Sequence, residues 1–279
     1  MINVAEIKQK AENDKVSASL VFKEHVHLII LEYLFRKGLF SQLVFQGGTA
    51  LRLAYHGMRY SEDLDFVLQN KDLPCFEHMY SELQPLTSQI KKLIPFVTSA
   101  QLKVQKETRS FRRYCLILEA DFLNVKDKTN IEIANIPSHK FQTLIIHYPD
   151  LSLAPAVNVE TPEEILSDKL LAFCARDYIK GRDIWDIYFI MNTLHVSLNE
   201  EIINMVKKKI TDYNIAKNEF VTSCKIKTEV LKSEGTRILH EEMDRFLPAP
   251  YRKTFSVQYP DICTAELTVF NKLLKKLEK

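Results

Sequence analysis

The chain has 279 residues, of which 46% are hydrophobic and 27% charged, and its formal net charge is +2. This composition is typical of a globular protein that can bury a substantial core as one domain or two. The small net charge does not by itself indicate a nucleic-acid-binding protein, although it can hide a local basic face. Five scattered cysteines exclude a disulfide framework and favour a reducing compartment.

The start of the chain shows no sign of export or membrane insertion. Residues 1–15 are polar, and the short apolar stretch at residues 28–31 is followed by charged side chains. We therefore expect a cytoplasmic protein with no membrane partner.

The first predicted element is a helix at residues 17–37, where apolar residues recur at helical spacing before Gly38. His25 and His27 lie two apart on it and point to different faces, so we expect structural roles for both.

Gly47, Gly48 and Thr49 form the next feature. The glycines let the backbone approach a ligand closely, and Thr49 is placed to cap a helix that ends at a left-handed Gly57. The N-terminus of such a helix would bind phosphate. Arg59 follows closely enough to meet a phosphate or pair with an acid.

Two carboxylates follow, Asp63 and Asp65, one residue apart in a predicted strand. Alternation along a strand places both on one side, whereas Leu64 and Phe66 point into the core. Such a pair repels unless it is protonated or bridged by a cation, and carboxylate oxygens suit Mg²⁺. The sequence therefore predicts a magnesium site.

Further along, Pro74 and Pro85 bracket a predicted helix. Three β-like runs then predict a mixed or antiparallel sheet, at residues 102–106, 114–120 and 130–136. Residues 126–130 are expected to form an exposed connection. From Thr161 the pattern is helical, which divides the chain into domains 1–160 and 161–279, with the site expected in the cleft between them.

The helix that begins at Thr161 carries a lysine on its apolar side. Thr161 is expected to cap it and Glu164 to complete a capping box. Lys169 shares a face with buried apolar positions, so its ammonium must meet an acid, a phosphate or water at an edge. Arg176 lies on the same face.

Gly181 is expected to end this helix and a second helix to follow, with two acids in its first turns. For Asp183 we favour a helix-capping role. For Asp186 a capping role and a functional role both stay open.

Three motifs occur in order: GGTALRL at residues 47–53, RYSEDLDF at 59–66, and DKL at 168–170 followed by RDIWD at 182–186. Together they resemble the AbiEii/AbiGii toxin family of nucleotidyltransferases. The resemblance implies an α+β fold, with a polymerase-β-like nucleotidyltransferase core, a mixed β-sheet and a helical C-terminal lobe. It further implies Mg²⁺, a nucleoside triphosphate (NTP) substrate, an RNA acceptor such as the tRNA 3′ end, and a cognate antitoxin in a toxin–antitoxin or phage-defence system.

The resemblance also assigns roles to residues. Lys169 matches the essential lysine, Asp186 matches the last acid better than Asp183, and Thr49 stands where serine is preferred. Glu132 is the candidate third carboxylate at the metal, with Glu119 as its competitor. The expected site comprises catalytic Asp63, Lys169 and Asp186; nucleotide-binding Gly48, Thr49, Arg59, Ser61, Arg176 and Asp183; and metal-binding Asp63, Asp65 and Glu132.

Two alternatives remain: nucleotidyl transfer to a protein or small-molecule hydroxyl, and a catalytically silent module that binds nucleotide or a partner. Basic clusters give weak support for RNA, since such runs are usually solvated faces. They comprise Arg109, Arg112 and Arg113; residues 207–209; and Lys272, Lys275 and Lys276.

Overall fold

A computed structural model of the protein describes residues 3–123, 126–148 and 154–278. The chain forms two units, Met1–Val159 and Glu160–Lys279. Within the described residues, no helix has both the length and the apolarity needed to cross a membrane.

The first unit combines helices with a sheet. Its helices are α1 (Val4–Asp14), α2 (Ala18–Arg36), α3 (Gly47–Ala54), α4 (Pro74–Leu83) and α5 (Leu86–Leu93). The strands are β1 (Leu43–Gln46), β2 (Leu64–Leu68), β3 (Val97–Glu107), β4 (Phe111–Ala120), β5 (Asp127–Pro137), β6 (Phe141–Ile145) and β7 (Ala156–Glu160).

The helix predicted at residues 17–37 is confirmed as α2. Ser17 caps it, because the Ser17 hydroxyl accepts a hydrogen bond of 3.2 Å from the Leu20 amide. Most of α2 is buried all round, and its interior includes the polar side chains of Lys23, Glu24 and His27. Buried polar groups need partners: Lys23 and His27 find theirs at Glu62, in the segment that precedes β2, and Glu24 pairs with Arg52 on α3.

The described strands form one mixed sheet in the order β3-β4-β5-β2-β1-β7-β6. The pairs β1–β2, β3–β4 and β4–β5 are antiparallel, whereas β2–β5 and β1–β7 are parallel. This confirms the predicted mixed sheet and the α+β fold class. One face of the sheet packs against helices, including α5 on β3 and α2 on β5.

The expected exposed connection at residues 126–130 is wrong, because β5 already begins at Asp127. Asp127 and Thr129 are buried, and Asp127 accepts a 2.6 Å hydrogen bond from the Ser19 hydroxyl of α2. The polar composition therefore reflects a strand whose inward-facing Asp127 is paired with α2.

The second unit is helical: α6 (Pro162–Ala175), α7 (Gly181–Tyr188), α8 (Glu200–Asp212), α9 (Lys217–Phe246), α10 (Ala249–Phe255) and α11 (Tyr259–Leu277). The long α9 packs against α6, α7 and α11. Gly181 begins α7 instead of ending α6, which stops at Ala175.

The capping box expected at the start of α6 is wrong. Thr161 has the backbone conformation of an N-cap, but its side chain makes no capping hydrogen bond. The Glu164 carboxylate instead pairs with the ammonium of Lys209, at a distance of 2.6 Å. A buried ammonium requires acidic partners, and this requirement outweighs the capping interaction.

Candidate functional site

The first glycine of the Gly-Gly turn permits a close contact with the carboxylate strand. Gly47 begins α3 with φ +79°, and a Cβ there would lie 2.7 Å from Oδ2 of Asp65. The preceding residue, Gln46, is the register partner of Asp65 across β1 and β2. Glycine is thus needed both for the backbone angle and to leave room for this carboxylate.

The second glycine makes room for an arginine. A Cβ on Gly48 would collide with the guanidinium of Arg59. Arg59 is only 4% exposed and donates a 2.9 Å hydrogen bond to the carbonyl of Tyr60. The close approach expected of a ligand at Gly48 is therefore made by Arg59 from inside the protein.

Thr49 does not cap α3, so that prediction is wrong. The N-cap position belongs to Gln46, and Thr49 lies in the first turn with 1% of its surface exposed. Its hydroxyl donates a hydrogen bond to the main-chain carbonyl of Asp63. A partner 14 residues along the chain has replaced the local one. The left-handed residue after the helix is His56, at φ 58°, not Gly57.

Side chains hold the whole segment that leads into β2. Arg52 donates to the carbonyls of Gly57 and Met58 at 3.0 and 3.1 Å, and is itself held by Glu24 at 2.6 Å. Together with the bonds from Arg59 and Thr49, these hold four carbonyls of residues 57–63: those of Gly57, Met58, Tyr60 and Asp63. Ser61 lies between the last two and is half-buried. Side-chain hydrogen bonds, and not the backbone hydrogen bonds of a helix or a sheet, therefore preorganise this segment.

His27 contributes one further bond to this segment, and sequence reasoning assigned it only a structural role. Burial lowers the pKa of His27 to about 4, so its ring is neutral near pH 7. Its Nε2 lies 3.1 Å from the carbonyl of Glu62. A carbonyl only accepts, so this nitrogen carries the proton and donates it.

The structure brings the three predicted metal-binding acids to one side of the sheet. Asp65 and Glu132 are register partners on the parallel strands β2 and β5, roughly 4.8 Å apart in backbone spacing. Oδ1 of Asp63 accepts a 3.0 Å hydrogen bond from Asn130, two residues before Glu132. All three acids are half-buried.

Register also separates Glu132 from its competitor. Glu132 pairs with Arg113 on β4, and their side chains form an ion pair at 2.8 Å. Glu119 lies six residues further along β4, roughly 20 Å away at strand spacing, and contacts Lys126. Only Glu132 is a neighbour of Asp65.

The donor set suits a hard divalent cation, since it consists of carboxylate oxygens beside a glycine that leaves space at Asp65. Among the described residues, the acids whose ligand atoms already lie within 4.8 Å of one another are a different group: Glu160, Glu164 and Asp168. At the site formed by Asp63, Asp65 and Glu132, the positive charge next to Glu132 is the guanidinium of Arg113.

The second unit holds the other predicted residues in one buried cluster. The ammonium of Lys169 lies 3.1 Å from Asp183 and 2.7 Å from Asp186. Asp183 also pairs with Arg176. Two cations thus balance two anions. The prediction that Lys169 lies on the inward face is confirmed, and of its three expected partners the structure shows the acid.

The capping role favoured for Asp183 is wrong. Lys180 occupies the N-cap position of α7, and Asp183 is 1% exposed between two basic side chains. The spacing of Asp183 and Asp186 explains this outcome, because residues three apart share one face of a helix.

Glu266 is a member of this cluster that no sequence signal singles out. It is 3% exposed, and burial, with the charges of Asp183 and Asp186, raises its pKa well above the usual range. The charged form of Glu266 is therefore disfavoured beside these two acids.

The acids Glu160, Glu164 and Asp168 surround the ammonium of Lys209. Its ammonium lies 3.2, 2.6 and 3.0 Å from them, and it has no exposed surface. The positive charge that these three acids require is thus supplied by the Lys209 side chain. Glu164 and Asp168 are four residues apart on one face of α6, which is a signal that could have revealed part of the group, whereas Glu160 ends β7.

Two basic clusters proposed to contact RNA contain buried residues. The run at residues 207–209 is not a solvated face throughout, because Lys209 is fully enclosed. Arg112 is 6% exposed and pairs with Glu77 and Glu107 at 3.1 and 2.9 Å. Neither side chain is available to a phosphate.

Comparison with known proteins agrees with this fold. The family model described as nucleotidyl transferase AbiEii toxin, type IV toxin–antitoxin system, matches residues 29–260. The crystal structure of JHP933 from Helicobacter pylori is similar over 94% of this chain and 98% of its own, with 18% identity and a TM-score of 0.51. A candidate nucleotidyltransferase from H. pylori is similar over 95% and 100%, with 19% identity and a TM-score of 0.51. No curated protein matches the chain.

The fold and the family match together define a nucleotidyltransferase. The chain belongs to the nucleotidyl transferase AbiEii toxin family of type IV toxin–antitoxin systems. Membership implies an NTP substrate and an antitoxin partner, and it confirms the resemblance carried by the three motifs.

Proposed function

We propose that the protein is a Mg²⁺-dependent toxin that transfers a nucleoside monophosphate from an NTP to an RNA acceptor, the tRNA 3′ end. The observation that carries this proposal is the placement of Asp65 beside Glu132 on adjacent strands, with Asp63 fixed by Asn130. Carboxylates held this rigidly beside a glycine turn are suited to a metal–triphosphate complex.

Asp63, Asp65 and Glu132 would hold Mg²⁺, which when bound neutralises triphosphate charge and lowers the pKa of the attacking hydroxyl. The α3 amides at Gly48 and Thr49, with the Ser61 hydroxyl, bind phosphate oxygens in this proposal. The Thr49 hydroxyl is committed to the Asp63 carbonyl, so it positions the metal-binding segment. Arg59 supports the turn from behind.

In the same proposal Lys169 neutralises charge that develops on the transferred phosphoryl group or on pyrophosphate. Asp186 orients its ammonium through the 2.7 Å contact. Arg176 binds phosphate through a side chain that is 40% exposed, and Asp183 positions it. Such ion pairs hold long, flexible cations in one geometry before the substrate arrives.

The acceptor is tested by incubating the protein with total bacterial RNA, Mg²⁺ and each labelled NTP in turn. We expect a label on RNA of tRNA size, dependent on Mg²⁺ and lost in Asp63→Asn. Asp121→Asn, an exposed acid at the end of β4, is the matched control and should retain activity. Label on protein or small molecules alone would refute the RNA acceptor, and absence of transfer to any acceptor would refute the proposal as a whole.

A further inference from the structure

The sheet face that carries the candidate metal site continues outward as a row of in-register side chains. The row runs from Asp65 on β2 through Glu132 on β5 and Arg113 on β4 to Lys106 on β3. Directly opposed residues on neighbouring strands point to the same side of a sheet. Since β3 is the edge strand, the row leads from the carboxylates to the open margin of the sheet.

A second row lies beside the first. It runs from Asn130, which binds Asp63, through Cys115 to Lys103 on the edge strand. Lys128 lies two residues before Asn130 and shares this face by alternation. Lys103, Lys106 and Lys128 are exposed, whereas Cys115, which lies between Asn130 and Lys103 in this row, is buried.

The charge on this face is predominantly basic away from the carboxylates. We call Lys103, Lys106, Arg113 and Lys128 the basic rows. Glu107, the acid nearest in sequence, is the register partner of Arg112 and points to the opposite side. The basic rows therefore attract a polyanion towards Asp63 and Asp65.

Phe111 orders the basic rows at their outer end. Its ring lies 5.5 Å from the ammonium of Lys106 and 5.6 Å from the guanidinium of Arg113. These cation–π contacts restrain two flexible side chains and thus reduce the entropy lost when they bind a ligand.

We propose that the basic rows bind the phosphate backbone of the acceptor RNA and lead its reactive end to the carboxylates. The inference rests on the proposed function, because it names how that acceptor is held. The edge strand lies three strand spacings from β2, roughly 14 Å away. At roughly 3.4 Å of axis per phosphate, a nucleic-acid strand places about four phosphates along this path. A triphosphate held by the carboxylates occupies only its inner end.

The test compares two double variants of equal charge change. Lys103→Gln with Lys106→Gln removes the outer end of the basic rows. Lys91→Gln with Lys92→Gln is the control, because these exposed lysines lie on α5, which packs on the other face of β3. Binding of fluorescent tRNA is measured by anisotropy between low and high salt, and KM is measured separately for RNA and for NTP.

Each lost phosphate contact reduces the slope of log affinity against log salt by about 0.7, so the first double variant should lose about 1.4. If the wild type and the variant bind RNA equally at about 1 M salt, this change in slope makes the variant bind RNA about 25-fold more weakly at about 0.1 M salt. KM for RNA should rise with it, KM for NTP should not change, and the control should behave as the wild type.

Failure of the inference is distinct from failure of the proposed function. If the wild type transfers nucleotide to RNA but Lys103→Gln/Lys106→Gln binds RNA as the wild type does, the RNA-binding role of the basic rows is refuted. The proposed function is then unaffected. A rise in KM for NTP alone also refutes this role, because the lysines would then bind the triphosphate. Transfer by the wild type to a non-RNA acceptor refutes the function itself and the inference with it.

Discussion

Replacing Lys209 by methionine removes a fully buried cation that contacts three acids, of which Glu160 and Glu164 are themselves buried. The ammonium has no exposed surface and lies 2.6 to 3.2 Å from Glu160, Glu164 and Asp168. Methionine keeps much of the side-chain volume but leaves the acids without their counter-charge. Removal of one partner from a buried ion pair typically costs about 3–5 kcal/mol, and we expect a loss of that size at neutral pH.

The loss should depend on pH. Burial raises the pKa of Glu160 well above its ordinary value of 4.5 and also raises that of Asp168, so the folded chain binds protons more tightly than the unfolded chain. The contribution of these bound protons to the free energy of unfolding is complete below the ordinary pKa of the acids. It is lost as the pH rises through their raised pKa in the folded chain. Without Lys209 both pKa values rise further, so the deficit of Lys209→Met should increase from about pH 5 to about pH 8.

Urea unfolding at both pH values measures the effect. Lys208→Met is the matched control, because its exposed neighbouring side chain should change stability by no more than about 0.5 kcal/mol. Glu160→Gln should cost less than Lys209→Met, since burial raises the pKa of Glu160 and so disfavours the charge that the amide removes. If Lys209→Met matched Lys208→Met at both pH values, the reasoning about this cluster would be refuted.

Further predictions concern the candidate site. His27→Leu leaves the Glu62 carbonyl without its donor and should lower stability by about 1–3 kcal/mol, with partial recovery in His27→Gln; equal melting of all three proteins would contradict this. Because the pKa of His27 is lowered to about 4, its stabilisation is present above pH 6.5 and lost as pH falls through about 4. Glu132→Gln should reduce nucleotide transfer by about 100-fold and Glu119→Gln by less than about twofold, in parallel assays; the reverse order would exclude Glu132. Lys169→Ala should lower kcat by about 100-fold, and unchanged kcat would make Lys169 purely structural.

Periodicity predicted much of the fold. Helical spacing located α2, and β-like runs located β4 and β5. The same reasoning placed Lys169 on the inward face of α6, where it meets two acids. These features depend on local geometry, which the sequence of a single segment determines.

The wrong predictions share a physical cause. Each was based on neighbours in the sequence, whereas in the structure the side chain is bound by residues distant in the sequence. Thr49 fits a helix cap, but a carbonyl 14 residues away takes its hydroxyl. Asp183 also fits a cap, but two cations bury it. Lys209 belongs to a run of lysines, yet its partners lie 41 to 49 residues before it. Choosing Glu132 over Glu119 likewise required the register between strands.

The central claim is that the carboxylate strand performs Mg²⁺-dependent nucleotidyl transfer to RNA. The most direct measurement is incorporation of labelled nucleotide into tRNA by the wild type, Asp65→Asn and Asp121→Asn, with and without Mg²⁺. We expect incorporation by the wild type and Asp121→Asn only when Mg²⁺ is present, and a loss of at least about 100-fold in Asp65→Asn with unchanged melting. Incorporation by Asp65→Asn at the wild-type rate would contradict the account.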